Sequence, residues 1–145
     1  MQKISGRQKI NFVQGSVINS GLDSEIFDVT IVRNVIHHLV AMDLATTRDN
    51  QMDAIQELIR VTKLGGLIII EEQVNYSWTA TIIFYYASKL AMKLNIRIDK
   101  MQITPNTVVG DLTLKKLQWM CEGICLIVLG SKMTMRSGIC HGTCT

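Results

Sequence analysis

The chain has little charge, a single proline and no apolar run long enough to span a membrane, and these shortages narrow what it can be. Of 145 residues, 19% are charged and 48% hydrophobic. That balance excludes an intrinsically disordered chain and, at this length, supplies one proper core. Fifteen basic residues against 12 acidic ones leave a net charge of +3, scattered with no Lys/Arg block, so no nucleic-acid footprint is present. The longest apolar helical window, residues 78–92, contains Lys89. It is shorter than the roughly 20 apolar residues of a membrane span and reads as a buried or half-buried helix. Residues 1–7 are basic without an apolar stretch, which is not the pattern of a signal peptide. The expected compartment is therefore cytoplasmic, where the four cysteines stay reduced. There is neither an internal repeat nor a linker; strand and helix patterns alternate throughout.

The most informative stretch is residues 27–72. Phe27-Asp28 leads into a β-branched run, Val29-Thr30-Ile31-Val32, followed by Arg33-Asn34-Val35-Ile36-His37-His38-Leu39. Residues 34–44 are apolar and predict a short helix. Asp49 or Asn50 is a candidate N-cap for a helix running to about Lys63. On it Met52, Ile55, Leu58, Ile59 and Thr62 form one apolar face. Gly65 sits where a left-handed helix terminator belongs, and residues 67–71 are a second strand, Leu-Ile-Ile-Ile-Glu. Two apolar strands around an amphipathic helix predict a parallel βαβ crossover, with both strands buried on two faces.

Outside this unit the signals are shorter. Residues 9–13 alternate and predict a strand ending at Gln14-Gly15-Ser16. Residues 77–94 read as an aromatic helix with Trp78, Phe84, Tyr85 and Tyr86. Asp111 or Thr113 caps a helix to about Met120, with Gly123 as its stop. Residues 124–129 predict a third strand, and from Ser131 onward neither strand nor helix is legible. The division is therefore residues 1–130 as the domain and residues 131–145 as a poorly ordered Cys/Gly/Ser/Thr-rich tail.

The pairing of Phe27-Asp28-Val29 and Asn34-Val35-Ile36-His37-His38-Leu39 with Glu57-Leu58-Ile59-Arg60-Val61 and Gly65-Gly66-Leu67-Ile68-Ile69-Ile70-Glu71 resembles the second half of a class I S-adenosylmethionine-dependent methyltransferase. The nearest subgroup is the small-molecule enzymes of the ubiquinone/menaquinone-biosynthesis type. The resemblance spans about residues 10–130. It implies an α/β fold, a partial Rossmann-like methyltransferase sheet, mostly parallel, with helices on both faces. It also implies S-adenosylmethionine as cofactor and a small-molecule acceptor. By resemblance, Gly15, Ser16 and Val17 lie against the adenine, and Arg33, Asn34 and Val35 border the cofactor at the carboxyl end of their strand. Ligands of open α/β sheets bind at that end.

The chain departs from the family in two places. Ser16 stands where an acidic residue commonly accepts a hydrogen bond from the adenine amine, and a serine accepts it without charge assistance. The family's Gly-rich first turn and the acid ending its second strand have no room upstream of Lys9, which implies weak or no cofactor binding by this chain alone. The absent first strand would leave residues 29–32 with a bare edge, to be covered by residues 10–13 or by another chain, such as a second copy in a homodimer.

No catalytic constellation is legible. His37 and His38 have no identifiable nucleophile or acid partner, which favours a packed turn over a general base. Glu71 and Glu72 alternate to opposite faces and so do not form a paired-carboxylate site. The spacings Cys121-x-x-x-Cys125 and Cys140-x-x-x-Cys144, with His141, are longer than a zinc ribbon uses, so no metal site is assigned. The aromatic cluster of residues 78–86 fits a helix covering the sheet better than a substrate pocket. Gly65-Gly66 precede a strand, not a helix, and so do not form a phosphate loop. The expected function is methyl transfer to a small molecule. The alternative is a non-catalytic methyltransferase-like remnant acting as a binding or dimerisation module. A zinc-stabilised interaction module is the weakest of the three.

Overall fold

β-Branched residues with no internal Gly or Pro make β1 (Phe27–Arg33), and β2 (Thr62–Asn75) runs parallel beside it. In the computed structural model the described residues are 10–75, 77–99, 103–122, 131–136 and 139–144. Val29 to Arg33 pair in order with Leu67 to Glu71, and α1 (Leu44–Val61) connects the two strands. The α/β crossover expected from the sequence is therefore present.

Helix α1 starts earlier than expected. Asp43, in extended conformation, is its N-cap: Oδ1 accepts from the Thr46 N–H at 2.9 Å and Oδ2 from the Thr46 hydroxyl at 2.9 Å. Thr47 Oγ1 donates back to the Asp43 carbonyl at 2.7 Å, so Asp49 and Asn50 lie inside the helix. Thr47, Gln51, Ala54, Ile55, Leu58 and Val61 form its buried face. The helix ends at Val61, not at the glycines.

Gly65 is left-handed (φ 77) but lies within β2, where the register slips. Phe27 pairs with Thr62 and Val29 with Leu67, so β1 advances two residues while β2 advances five. Gly66 sits at the closest approach of this bulge. A Cβ there would come within 2.9 Å of the Asp28 and Lys63 carbonyl oxygens and 2.8 Å of Thr62 Cγ2. The Gly-Gly pair serves the strand.

The short helix expected at residues 34–44 is replaced by a 3₁₀ turn, Ile36–His38, and only Leu44 of that stretch is in α1. Asn34 is left-handed (φ 52), and a side chain from β2 takes the next N–H groups. Residues 10–13 do not form the expected strand; Ile10, Phe12 and Val13 are exposed, Phe12 to 94%. Lys9 lies outside the described residues. Among those residues no strand lies beside the outer edge of β1, so residues 10–13 do not cover it. Away from a partner strand their backbone groups have no ladder to join.

Helix α2 (Trp78–Leu94) begins at Ser77, whose Oγ accepts from the Ala80 N–H at 3.2 Å, and stops at left-handed Asn95. β3 (Leu112–Thr113) adds two residues parallel to β2 at Val74 and Asn75. Helix α3 (Leu114–Glu122) follows, with Thr113 Oγ1 accepting from the Lys116 N–H at 3.1 Å. The expected strand at residues 124–129 lies outside the described residues.

β4 (Ser131–Arg136) and β5 (Ile139–Cys144) pair antiparallel, and β5 runs antiparallel along residues 70–74 of β2. This region has no legible strand pattern, yet the second edge of β2 supplies a backbone ladder. The sheet order is β1-β2-β5-β4, with β3 also on β2.

The core lies on one face. Val32, Ile70 and Val74 from the strands meet Ile36, Ile55, Leu58, Leu112, Leu117 and Met120. On the opposite face Val29 is 50% exposed and Ile31 66%. The expectation that both strands are buried on two faces therefore fails for β1. Among the described residues, no helix is long and apolar enough to cross a membrane.

Candidate active site

The carboxyl ends of β1 and β2 are held together by one buried carboxylate. Glu72 shares the covered face with Ile70 and Val74 and is 1% exposed. Its Oε1 accepts from the Val35 N–H at 2.6 Å and the Ile36 N–H at 2.8 Å. Its Oε2 lies 2.6 Å from His37 Nδ1 and accepts from the His37 N–H at 3.4 Å. Burial pushes the Glu72 pKa up, but the His37 contact and the Ile36 and Val35 N–H groups outweigh it, and the net shift is downward. A buried ion with this many donors fixes the loop leaving β1. The sequence held one clue to this role: Glu72 has the same strand parity as Ile70 and Val74.

His37 and His38 separate in role. His37 is buried against Glu72, and the His38 ring, 4.0 Å away centroid to centroid, is exposed. Burial lowers the His38 pKa, with the charge on His37 adding to it.

Behind His37 a second polar layer closes the site. The His37 carbonyl accepts from the Gly110 N–H at 2.7 Å. Gln51 Nε2 donates to the Gly110 carbonyl at 2.6 Å and the Ile36 carbonyl at 3.3 Å. A Cβ on Gly110 would meet Thr47 Cγ2 at 2.9 Å, so glycine permits this approach. Asp111 Oδ2 accepts from Asn75 Nδ2 at 2.8 Å, and burial pushes the Asp111 pKa up. Gln51, Gly110 and Asp111 in this role had no periodic signature in the sequence, because they meet only once three segments are folded.

The six residues expected at the cofactor fall into two groups. Asn34 and Val35 sit in the loop pinned by Glu72, and the Asn34 N–H donates to the Glu71 carbonyl at 2.8 Å. Asn34 Oδ1 is buried with no hydrogen-bond partner. Arg33 turns to the other face, where it meets Glu71 at 3.1 Å with its side chain 70% exposed. In the other segment Gly15 and Ser16 are exposed, and Ser16 Oγ accepts from the Ile18 N–H at 3.3 Å. Val17 and Val35 both pack against the same core. Cys121 is buried in α3 and Cys125 lies outside the described residues; β5 carries Cys140, His141 and Cys144. Among the described residues no group of His, Cys, Asp and Glu is arranged to hold a metal ion.

Next to this layer a shallow cleft opens between the starts of α1, α2 and α3, beyond the carboxyl ends of β2 and β3. Its walls include Arg48, Gln51, Trp78, Asp111 and Lys116. The Arg48 guanidinium lies 3.9 Å from the centre of the Trp78 ring, and the Lys116 ammonium 3.6 Å from that of Trp119.

Residues 1–70 of the chain match a family model described as a methyltransferase domain, a match that takes in β1, α1 and most of β2. No curated protein and no solved structure matches the chain.

Proposed function

We propose that this chain forms part of an S-adenosylmethionine-dependent methyltransferase of the ubiquinone/menaquinone-biosynthesis type, acting on a small-molecule acceptor. The family match over residues 1–70 supports methyl transfer. The observation that carries the cofactor reading is Asn34 Oδ1, a buried acceptor without a donor at the carboxyl end of β1. Buried acceptors are normally satisfied, and the cofactor brings ammonium, hydroxyl and amine donors. The fit is partial, because Ser16 Oγ, which accepts from its own turn, is a neutral acceptor without charge assistance.

The cofactor supplies an electrophilic methyl group on a sulfonium. When bound, it would supply that methyl group to a nucleophilic atom of the acceptor. In-line positioning dominates such a step. Here Glu72 and His37 hold the loop bearing Asn34 and Val35, and Gln51 clamps that loop through the Ile36 and Gly110 carbonyls.

Calorimetric titration with S-adenosylhomocysteine tests the reading. Saturable binding is expected, roughly tenfold weaker in Asn34→Ala, as for one lost hydrogen bond to a charged donor. No heat of binding, or equal affinity in the variant, overturns it. The exposed edge of β1 favours a second reading, a non-catalytic module whose sheet edge joins another chain. A concentration-dependent mass in sedimentation, with no cofactor binding, would select that one.

A further inference from the structure

We propose that the cleft between α1, α2 and α3 binds an oxyanion, the carboxylate or phosphate group of the methyl acceptor, through Arg48 and Lys116. Two cationic side chains line one small cleft, and neither forms an ion pair among the described residues. Lys116 lies in the first turn of α3, against the preference of the helix dipole for negative charge there, and Arg48 just past the first turn of α1. None of the three helices carries an acid in its first turn. Asp43 caps α1 from outside the cleft, with its carboxylate on Thr46. The Trp78 and Trp119 rings each face one of these cations, but no described carboxylate neutralises either, and a bound anion would offset both.

The neighbouring groups leave the cations available. Asp111 also lines the cleft, but its carboxylate accepts from Asn75 and its charged neighbours are His37 and Glu72. The Thr47 and Thr81 hydroxyls donate to the carbonyls of Asp43 and Trp78, and Thr113 Oγ1 accepts from Lys116 N. Lys116 is held below its usual pKa by burial and by the charge of Arg48, as expected of two cations sharing a space that a counter-charge would fill. Trp78 forms a wall of the cleft and would report the ligand. The cleft lies at the strand ends where α/β sheets bind ligands. Identifying the anion as part of the acceptor rests on the methyltransferase reading; the anion site does not.

The test uses the full chain carrying Trp119→Phe, so that Trp78 is its one indole. Inorganic phosphate and benzoate are titrated separately, with sodium chloride at matched ionic strength as control. A saturable change in Trp78 emission with phosphate, benzoate or both, and none with chloride, is expected, and the responding probe identifies the anion. By calorimetry, Arg48→Gln and Lys116→Gln are each expected to weaken that binding about tenfold, the loss of one charge-assisted contact. No saturation with either probe, or undiminished affinity in the double variant, overturns the site. Calorimetry with S-adenosylhomocysteine on the same samples separates the two readings. Cofactor binding without anion binding removes only this inference. Anion binding without cofactor binding keeps the site and removes the methyltransferase reading.

Discussion

The two faces of the β1–β2 sheet share one backbone and follow different rules. On the covered face Val32, Ile70 and Val74 are buried and Glu72 is 1% exposed, fully engaged by His37 and backbone N–H groups. On the other face Val29 and Ile31 are half to two-thirds exposed, and Glu71 pairs with Arg33, itself 70% exposed. Adjacent glutamates thus become a structural hub and a surface ion pair through parity alone. An apolar residue does not make a face buried; a covering layer does. Among the described residues, helices supply that layer for the core face.

The sharpest test sets these two glutamates against each other. Glu72→Ala leaves buried N–H groups and His37 without their partner and is expected to cost about 3–5 kcal/mol. Glu71→Ala is expected to cost under about 1 kcal/mol, the range of an exposed pair. Urea unfolding of both variants measures the difference, and similar losses would break the comparison.

Gly66 offers the next largest effect. Two of the three atoms a Cβ would strike are backbone oxygens, which cannot swing aside. Gly66→Ala is expected to cost about 1–3 kcal/mol. At Gly65 nothing lies within 4 Å, so alanine there meets only the left-handed strain of φ 77, about 1–2 kcal/mol. Thermal unfolding of the pair separates crowding from strain.

These glycines also mark the limit of what the sequence discloses. The strands at residues 27–33 and 67–71 were legible because β-branched runs have few other uses; the helix over residues 77–94 was legible, and Thr113 was one of two candidate caps for the next. Gly65-Gly66 resembled a helix stop because left-handed glycines commonly end helices, and only the register between two strands shows their place in a bulge. The start of α1 was misplaced because Asp43, Asp49 and Asn50 are equivalent as local caps. The Glu72–His37 contact spans 35 residues; strand parity places Glu72 on the covered face but does not name its partner. Residues 139–144 pair by backbone along β2 and residues 131–136 along residues 139–144, contacts that need no side-chain pattern.

Away from the sheet, Glu57 gives a pH-dependent effect. Its side chain accepts from Arg60 Nε and Nη2, both at 2.8 Å, and from the Ser20 N–H at 2.9 Å and hydroxyl at 2.5 Å. The bonds from Arg60 and then from Ser20 lower its pKa from 4.5 to about 2. A carboxylate held below its unfolded value stabilises the fold above pH 4.5, and that contribution fades as pH falls from about 4.5 towards 2. Glu57→Gln is expected to cost about 2 kcal/mol at pH 7 and to flatten the acid limb of stability against pH. An unchanged slope would show that Ser20 and Arg60 do not hold this carboxylate in solution.

The smallest expected effect decides what lies over the uncovered face. Ile31→Ser removes a large side chain that is 66% exposed, so in an isolated chain it should shift stability by no more than about 0.5 kcal/mol. Its neighbour Val32 is 5% exposed within the core, and Val32→Ala should cost about 2 kcal/mol. Protein concentration separates a bare face from one covered by a second copy. If copies meet along β1, wild-type stability rises with concentration and Ile31→Ser abolishes the rise. Stability independent of concentration in both proteins would leave Val29 and Ile31 facing water, and dimerisation across this face would then have no support.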